Sequence, residues 1–311
     1  MIDQSIVSVV VPTFNRKDML PSVIAPLLRD PATLEVVVVV DGCHDGSYEL
    51  LERYAIDDPR VRPVWQDNAG EAAARAAGVE AARGTIVLIL DDDVVACEGL
   101  VSGHASFHRA SDRSVVLGYM PTVLPAKRQP GEAATYLYAR DYEQACRAYE
   151  RDARQVLLRF WAGNCSMRRD DALRVGMRGS RRDARLGYHA DRQFGYDCLA
   201  EGLRGSFSRS LRATHCYQRS VDKLRGEIRR QVHARRVLAE EHPGVVLGRR
   251  PRCMTRAALT VLARQPVYSL CLGATLTSIT VAGRLHLWAL ETALVRGLRQ
   301  VELVHAEQHE S

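Results

Sequence analysis

Three short apolar runs set the frame of the first half of the chain. Residues 7–11 (VSVVV), 36–40 (five valines) and 86–90 (IVLIL) are rich in β-branched residues and show no polar alternation. That pattern predicts strands buried on both faces, as in a parallel sheet. Each run stops at polar residues: Pro12 to Arg16, Asp41-Gly42, and Asp91 to Asp93. Helical spacings fill the intervals at 17–28, 47–54 and 71–82, the last alanine-rich and closed by Gly84. Strand–helix alternation implies right-handed crossovers and a doubly wound α/β sheet, whose ligands sit at the carboxyl ends of the strands. All three polar strand ends fall there.

Past residue 114 the pattern is mixed. A strand is expected at 115–117, a long helix at 132–160, a strand or loop at 161–167 and a short helix at 171–175. A helix at 191–200, a strand at 206–216 and a helix at 221–241 complete this part. Pro243-Gly244 and the basic stretch Arg249, Arg250, Pro251, Arg252 then break the chain. We expect a catalytic domain over 1–245 and a helical extension over 246–311. Within the first, 1–118 forms one half and 119–245 the other.

The extension changes the picture of what surrounds the chain. Residues 265–283 carry no charge, with Arg264 and Arg284 at the borders. Nineteen residues could span a bilayer, but glutamine, proline, serines and threonines interrupt them, so a packed or membrane-surface helix is the better expectation. The apolar residues of this tail admit intramolecular packing, a homodimer or a peripheral membrane contact. The 43 Lys and Arg against 37 Asp and Glu leave a net charge of +6. That excess is modest for the length and no nucleic-acid partner is expected. The arginines at 225, 229, 230, 235 and 236 read as a solvated helix face, with attraction to a polyanion or an anionic membrane surface the competing reading. Eight scattered cysteines without a C-x-x-C pair exclude a zinc ribbon or disulfide scaffold, and no signal-like segment precedes the first strand. Both fit a cytoplasmic, reducing environment, at the inner membrane face if the tail touches lipid.

The three consecutive aspartates are the clearest chemistry. Carboxylates in a row at a buried strand end repel one another unless a cation neutralises them. In an extended chain Asp91 and Asp93 project to the same side, and oxygen ligands of this kind suit Mg²⁺ or Mn²⁺ shared with substrate phosphates. The competing reading is a turn with helix-capping aspartates.

In this order and spacing, VSVVVPTFNR (7–16), EVVVVVDGCHDGS (35–47), NAGEAAARAAG (68–78), GTIVLILDDDV (84–94), AGNCSMRR (162–169) and ADRQFGYDCLAEG (190–202) resemble glycosyltransferase family 2 enzymes of the GT-A fold. The resemblance implies a mixed, mostly parallel sheet with helices on both faces. It implies inverting, metal-dependent transfer of one sugar from a nucleoside-diphosphate sugar to an acceptor hydroxyl. Pro12, Thr13, Asn15 and Arg16 then correspond to the loop around base and ribose, and Asp41 to the base-binding aspartate. Asp91 and Asp92 fall on the ribose side of the D-x-D motif, with Asp93 the metal ligand. Arg75 would lie near the donor phosphates and His215 near the metal. Asp191 would be the catalytic base, although Ala190 stands where the family often has a first acidic residue. Trp161, Gly163, Asn164, Tyr188 and His189 would shape the sugar and acceptor pocket. The acceptor itself, whether glycan, lipid-linked or small molecule, is not specified.

The first strand is followed by no glycine-rich phosphate loop and no G-x-G-x-x-G, which removes pyrophosphorylases and dinucleotide oxidoreductases. Gln218-Arg219-Ser220-Val221 lacks the Q-x-x-R-W of processive synthases. The remaining alternative is a non-catalytic nucleotide-sugar binding or scaffold protein of the same fold.

Overall fold

A computed structural model of the chain describes residues 6–176, 190–242 and 253–309. Contacts divide these into two units. One is built from the described residues of Met1–Val123, Glu143–Ala184 and Ala190–Cys216, the other from those of Leu124–Tyr142 and Tyr217–Ser311. The second unit therefore takes in the helix at 221–241, which the break at Pro243-Gly244 had assigned to the first.

The first unit is organised on strands β1 (Val7–Thr13), β2 (Thr33–Asp41), β3 (Val61–Gln66), β4 (Ile86–Leu90), β5 (Val94–Ala96), β6 (Ser114–Tyr119), β7 (Asn164–Arg168) and β8 (Arg204–His215). Their order is β3-β2-β1-β4-β7-β6-β8-β5. β1, β2, β3 and β4 pair in parallel, and β7 runs antiparallel to both β4 and β6. β6 and β8 are parallel, and β5 is antiparallel to β8. The valines of β2 and all of β4 are fully buried, as their unbroken apolar pattern requires. β3 and β5 are not evident in the sequence. β3 carries Pro63, which cannot donate to a ladder, and it lies at the sheet edge where that costs least. β5 is three residues long and exists through its pairing with β8.

Helices α1 (Leu20–Arg29) and α2 (Ser47–Asp57) follow β1 and β2, and α3 (Glu71–Ala81) returns the chain from β3 to β4. Right-handed crossovers put α1 and α2 on one face of the sheet and α3 on the other. A Cβ on Gly78 would meet Val10 Cγ1 at 2.2 Å, so glycine lets α3 lie close against β1. That approach fixes the height of Arg75, three residues earlier on the helix. α4 (Leu100–Ala110) precedes β6; its N-terminal amides at Val101 and Ser102 donate to the buried Asp30 carboxylate at 3.0 and 3.1 Å.

The helix expected over 132–160 is two helices, α5 (Ala133–Arg151) and α6 (Arg154–Leu158). Asp152 divides them: its carboxylate accepts from the Arg154 amide at 3.0 Å and from Gln155 Nε2 at 3.1 Å, a local cap that competes with helix continuation. α7 (Arg169–Val175) and α8 (Ala190–Ala200) complete the first unit.

In the second unit α9 (Val221–Glu241), α10 (Cys253–Leu262), α11 (Val267–Arg284) and α12 (Trp288–His309) form a helical assembly. Its core joins Ala134 and Leu137 of α5 to Leu224 and Ile228 of α9, Ile279 of α11 and Val295 and Leu298 of α12. Arg225 and Tyr268 both hold the buried Glu302, at 2.5 and 2.7 Å. Among the described residues no helix is long and apolar enough to cross a membrane.

Candidate functional site

The carboxyl ends of β1 and β4 bring Thr13 and Arg16 together with Asp92 and Asp93. After β4 the chain does not stay extended. The Val94 amide donates to the Asp91 carbonyl at 3.0 Å, closing a turn that feeds β5. This corrects the expectation that Asp91 and Asp93 face one ligand from an extended run: the turn sends each aspartate to different partners. Asp91 accepts from Arg75 Nη2 at 2.9 Å. Asp92 accepts from the Thr13 hydroxyl at 2.9 Å and lies 3.5 Å from Arg16 Nε. Asp93 accepts from Arg16 Nη1 at 2.8 Å and faces His215 Nε2 at 3.2 Å.

Sheet register explains the last contact. Val94 pairs with His215 across β5 and β8, and the Cys216 amide donates to the Asp93 carbonyl at 2.8 Å. A residue more than a hundred positions away is thereby fixed beside the aspartate. The electrostatics differ among the three carboxylates. Burial pushes Asp92 up, Arg16 and Thr13 pull it down, and Asp93 and Asp91 push again, leaving it at about 6. Burial also pushes Asp93 upward, but His215 and Arg16 outweigh it and hold the group below the usual carboxylate range. Burial disfavours charge on Arg16, and the neighbouring Asp92 and Asp93 more than offset this, raising its pKa.

Arg75 is the centre of the second cluster. Its side chain is 5% exposed, so it is not the solvated helix arginine that its sequence setting allows. Nη1 donates to Asp191 Oδ1 at 2.6 Å, and Nη2 contacts both Asp91 and Glu71. Burial opposes the charge, but these three carboxylates raise the guanidinium well above its ordinary value. Arg75 Nε is buried without an acceptor. The other Asp191 oxygen accepts from the Ala162 amide at 3.1 Å. Two donors from distant parts of the chain thus orient this carboxylate at the start of α8. Beside it opens a shallow cleft whose lining includes Ala72, Arg75, Phe160, Ala162, Asp191 and Phe194. Phe160 and Phe194 meet at 5.6 Å between ring centroids.

Gly163 lies against Asp91: its carbonyl accepts from the Asp91 amide at 3.2 Å, and a Cβ there would meet Asp91 Oδ2 at 2.5 Å. Trp161 is half-buried beside it in the chain. Asn164, expected at the pocket with them, instead turns into the core. Its amide nitrogen donates to the Leu211 carbonyl at 3.2 Å and its oxygen meets His104 Nε2 at 3.1 Å. Pairing of Asn164 with Leu90 in the β4–β7 ladder sets that direction. Tyr188 and His189 lie outside the described residues.

Asp41 is buried, and its carboxylate holds the loop entering α3. It accepts from Gln66 Nε2 at 2.7 Å and from the amides of Ala69 and Gly70 at 2.8 and 2.9 Å. After the buried Pro12 and Thr13, Asn15 adopts a positive φ of 52°. Its amide donates to Cys43 Sγ at 3.1 Å, and its side chain accepts from the His44 amide at 3.2 Å. The β1 and β2 loops are thereby tied together, leaving Phe14 half exposed.

Sequence reasoning missed Glu71, the Ala162 amide and the aromatic pair. Glu71 had a signal, since it stands four residues before Arg75 on a helix, where an acid–base pair meets. The Ala162 amide had none.

Among the described residues no set of three or more His, Cys, Asp or Glu side chains converges on one metal position. The two clusters nevertheless hold five carboxylates, Glu71, Asp91, Asp92, Asp93 and Asp191, against the guanidiniums of Arg16 and Arg75. The imbalance favours a bound cation. Asp93 and His215 offer adjoining oxygen and nitrogen atoms of the kind that binds a divalent ion completed by substrate phosphates.

Comparison with known proteins bears on the family and the fold. The glycosyl transferase family 2 model matches residues 8–176, more than half of the chain. An uncharacterized glycosyltransferase, EpsJ, of Bacillus subtilis is 32% identical over 138 residues, 40% of this chain and 39% of that protein. Glycosyltransferase GlyG of Streptococcus pneumoniae is 31% identical over 115 residues, 36% of this chain and 38% of the relative. An undecaprenyl-phosphate 4-deoxy-4-formamido-L-arabinose transferase of Pseudomonas fluorescens is 37% identical over 94 residues, 28% of each chain. The matches therefore span about two fifths or less of the relatives' lengths. The structure of a mannosyltransferase from Pyrobaculum calidifontis, in complex with GDP-Man and Mn²⁺, superposes with a TM-score of 0.58 at 16% identity. It covers 94% of this chain and 85% of that one, a likeness of fold that identifies the sheet and its helices as the GT-A architecture. The ordered motifs, the sheet that assembles them and the family match agree: this chain belongs to glycosyltransferase family 2.

Proposed function

We propose that the chain moves one sugar from a nucleoside-diphosphate sugar to an acceptor hydroxyl, with inversion at the anomeric carbon and without processive extension. One observation carries the reading. Arg75 joins Asp91, at the end of β4, to Asp191, at the head of α8, through one buried guanidinium beside an open cleft. Donor-side and acceptor-side carboxylates are thus held in fixed relation, which positional catalysis requires.

The chemistry follows from Asp191. Its carboxylate takes the proton of the acceptor hydroxyl while the acceptor oxygen bonds to the anomeric carbon. The bond from that carbon to the donor phosphate oxygen breaks, and its electron pair leaves with the nucleoside diphosphate. Arg75 and the Ala162 amide each occupy one position on the Asp191 oxygens, and a carboxylate has further lone pairs for the incoming hydroxyl. Asp93 and His215 are the residues that would hold Mg²⁺ or Mn²⁺, which when bound offsets the charge of the departing diphosphate. Thr13 and Arg16 orient Asp92 and Asp93 toward that end. The Mn²⁺ and GDP-Man of the structural neighbour support a nucleoside-diphosphate donor. The relative named for undecaprenyl phosphate makes lipid-linked acceptors part of any screen.

The test is release of nucleoside diphosphate from a panel of nucleotide sugars, with Mn²⁺ or Mg²⁺, for wild type and Asp191→Asn. The proposal expects slow hydrolysis of one donor without acceptor and faster release with the right acceptor. No release from any donor, with diphosphate binding intact, would favour a non-catalytic binding protein.

A further inference from the structure

The outer face of α11 carries exposed apolar side chains that no described residue covers, alongside the hydroxyls of Ser269, Thr277, Ser278 and Thr280. Its inner face, with Tyr268, Ile279, Ala282 and Gly283, is buried in the second unit. At α-helical spacing, Val267, Leu270, Ala274, Val281 and Leu285 fall on the opposite side in one stripe. Leu270 is 74% exposed and Leu285 62%. Val261 before this helix and Leu290 after it add to the exposed apolar surface. Thr277 and Ser278 interrupt the stripe between Ala274 and Val281, but their hydroxyls donate to the Gly273 and Ala274 carbonyls of the same helix. An uncharged, largely apolar outer face on a solvated helix marks an interaction surface.

Along the chain through the stripe the exposed charges are of one sign. From 261 to 300 the sequence contains one acid, Glu291, and it is buried. Arg264, Arg284 and Arg296 are exposed. We propose that this face docks on an anionic lipid bilayer, with the apolar stripe entering the headgroup boundary and the arginines meeting lipid phosphates. A second copy of the chain is the competing occupant. A two-fold contact through this face would bring its arginines together with no exposed acid in the face to pair them, whereas an anionic membrane supplies the opposite charge.

The test is co-sedimentation of the full chain with phosphatidylcholine vesicles, with and without about one third phosphatidylglycerol. Wild type, Leu270→Glu/Val281→Glu and Arg264→Glu/Arg284→Glu are compared, with light scattering of each. The substituted side chains are exposed, so unchanged melting temperatures confirm that each variant is folded. Wild type is expected to sediment with the anionic vesicles and to be partly released by salt. The leucine–valine variant loses binding, and the arginine variant binds at least about 25-fold more weakly, about fivefold for each basic residue near the surface. Failure of wild type to sediment, or equal sedimentation with neutral vesicles, overturns the proposal. So does unaltered binding by both variants. A wild-type dimer that Leu270→Glu/Val281→Glu converts to monomer assigns the face to a second copy instead.

Discussion

Replacing Arg75 by methionine keeps most of the side chain's length and packing but removes its charge. The Arg75 guanidinium is the cation shared by Asp91, Asp191 and Glu71. Breaking a buried ion pair by removing one partner costs about 3–5 kcal/mol, because the other charge stays behind. Asp91 and Asp191 retain 25% and 23% of their side-chain exposure and Glu71 retains 63%, so water recovers part of that loss. A destabilisation of about 2–3 kcal/mol is expected, which for a domain of this size lowers the melting temperature by roughly 5–10 °C. The pH dependence separates charge from packing. Loss of this cation favours protonation of the carboxylates left behind, so the folded variant binds more protons than the folded wild type. Its stability deficit against wild type should therefore shrink as the pH falls from about 7 toward about 4. Chemical unfolding at several pH values, alongside turnover, measures this. Turnover should fall by about 100-fold, since Asp191 loses the donor that orients it. A deficit that stays constant with pH, or a variant as stable and active as wild type, would refute the shared-cation account.

Asp191→Asn should lower transfer by about 10²- to 10⁴-fold while nucleoside-diphosphate binding survives, as a paired kinetic and calorimetric measurement would show. Gly163→Ala places a methyl group against Asp91 Oδ2; the carboxylate can swing away, so donor KM should rise with little change in melting temperature. Burial holds His104 at about 3 and, with help from Arg168, His108 at about 4, against an ordinary 6.5. The unfolded chain therefore binds more protons across that interval. Stability is full above about pH 6.5 and is lost as the pH falls toward about 4. His104→Gln should flatten that acid limb while costing stability at about pH 8 through its lost bond to Ser166 or Asn164; an unchanged acid limb would exclude His104 as its source.

The half of the fold built from parallel strands was legible because burial on both faces leaves an unambiguous apolar run. β3 and β5 were not, since an edge strand with a proline and a three-residue strand owe their existence to partners far along the chain. The break at Asp152 was hidden because helical periodicity continues across it, and the side-chain cap that interrupts it is a local competition. In the site, Asp91, Asp93 and Arg16 were readable as residue types at strand ends, and Asp191 only through the resemblance of 190–202 to the family. Their partners were not. The turn closed by Val94 decides that Asp91 faces Arg75 while Asp93 faces His215. The role of Arg75 depends on Gly78 letting α3 sit close to β1, and Asn164 is turned inward by strand register. These outcomes follow from three-dimensional register, which spacing along one element does not encode.

The central claim is that the Asp91–Asp93 turn and His215 form a metal-dependent nucleoside-diphosphate site. Thermal unfolding with UDP, GDP, dTDP, CDP and ADP, each with and without Mn²⁺ or Mg²⁺, on wild type and Asp93→Asn tests it directly. A ligand at about a hundred times its Kd adds roughly 2.7 kcal/mol to the stability of the form that binds it. The account predicts that one diphosphate raises the wild-type melting temperature only when metal is present, and that Asp93→Asn loses the increase. No shift with any diphosphate, or an equal shift in Asp93→Asn, would contradict it.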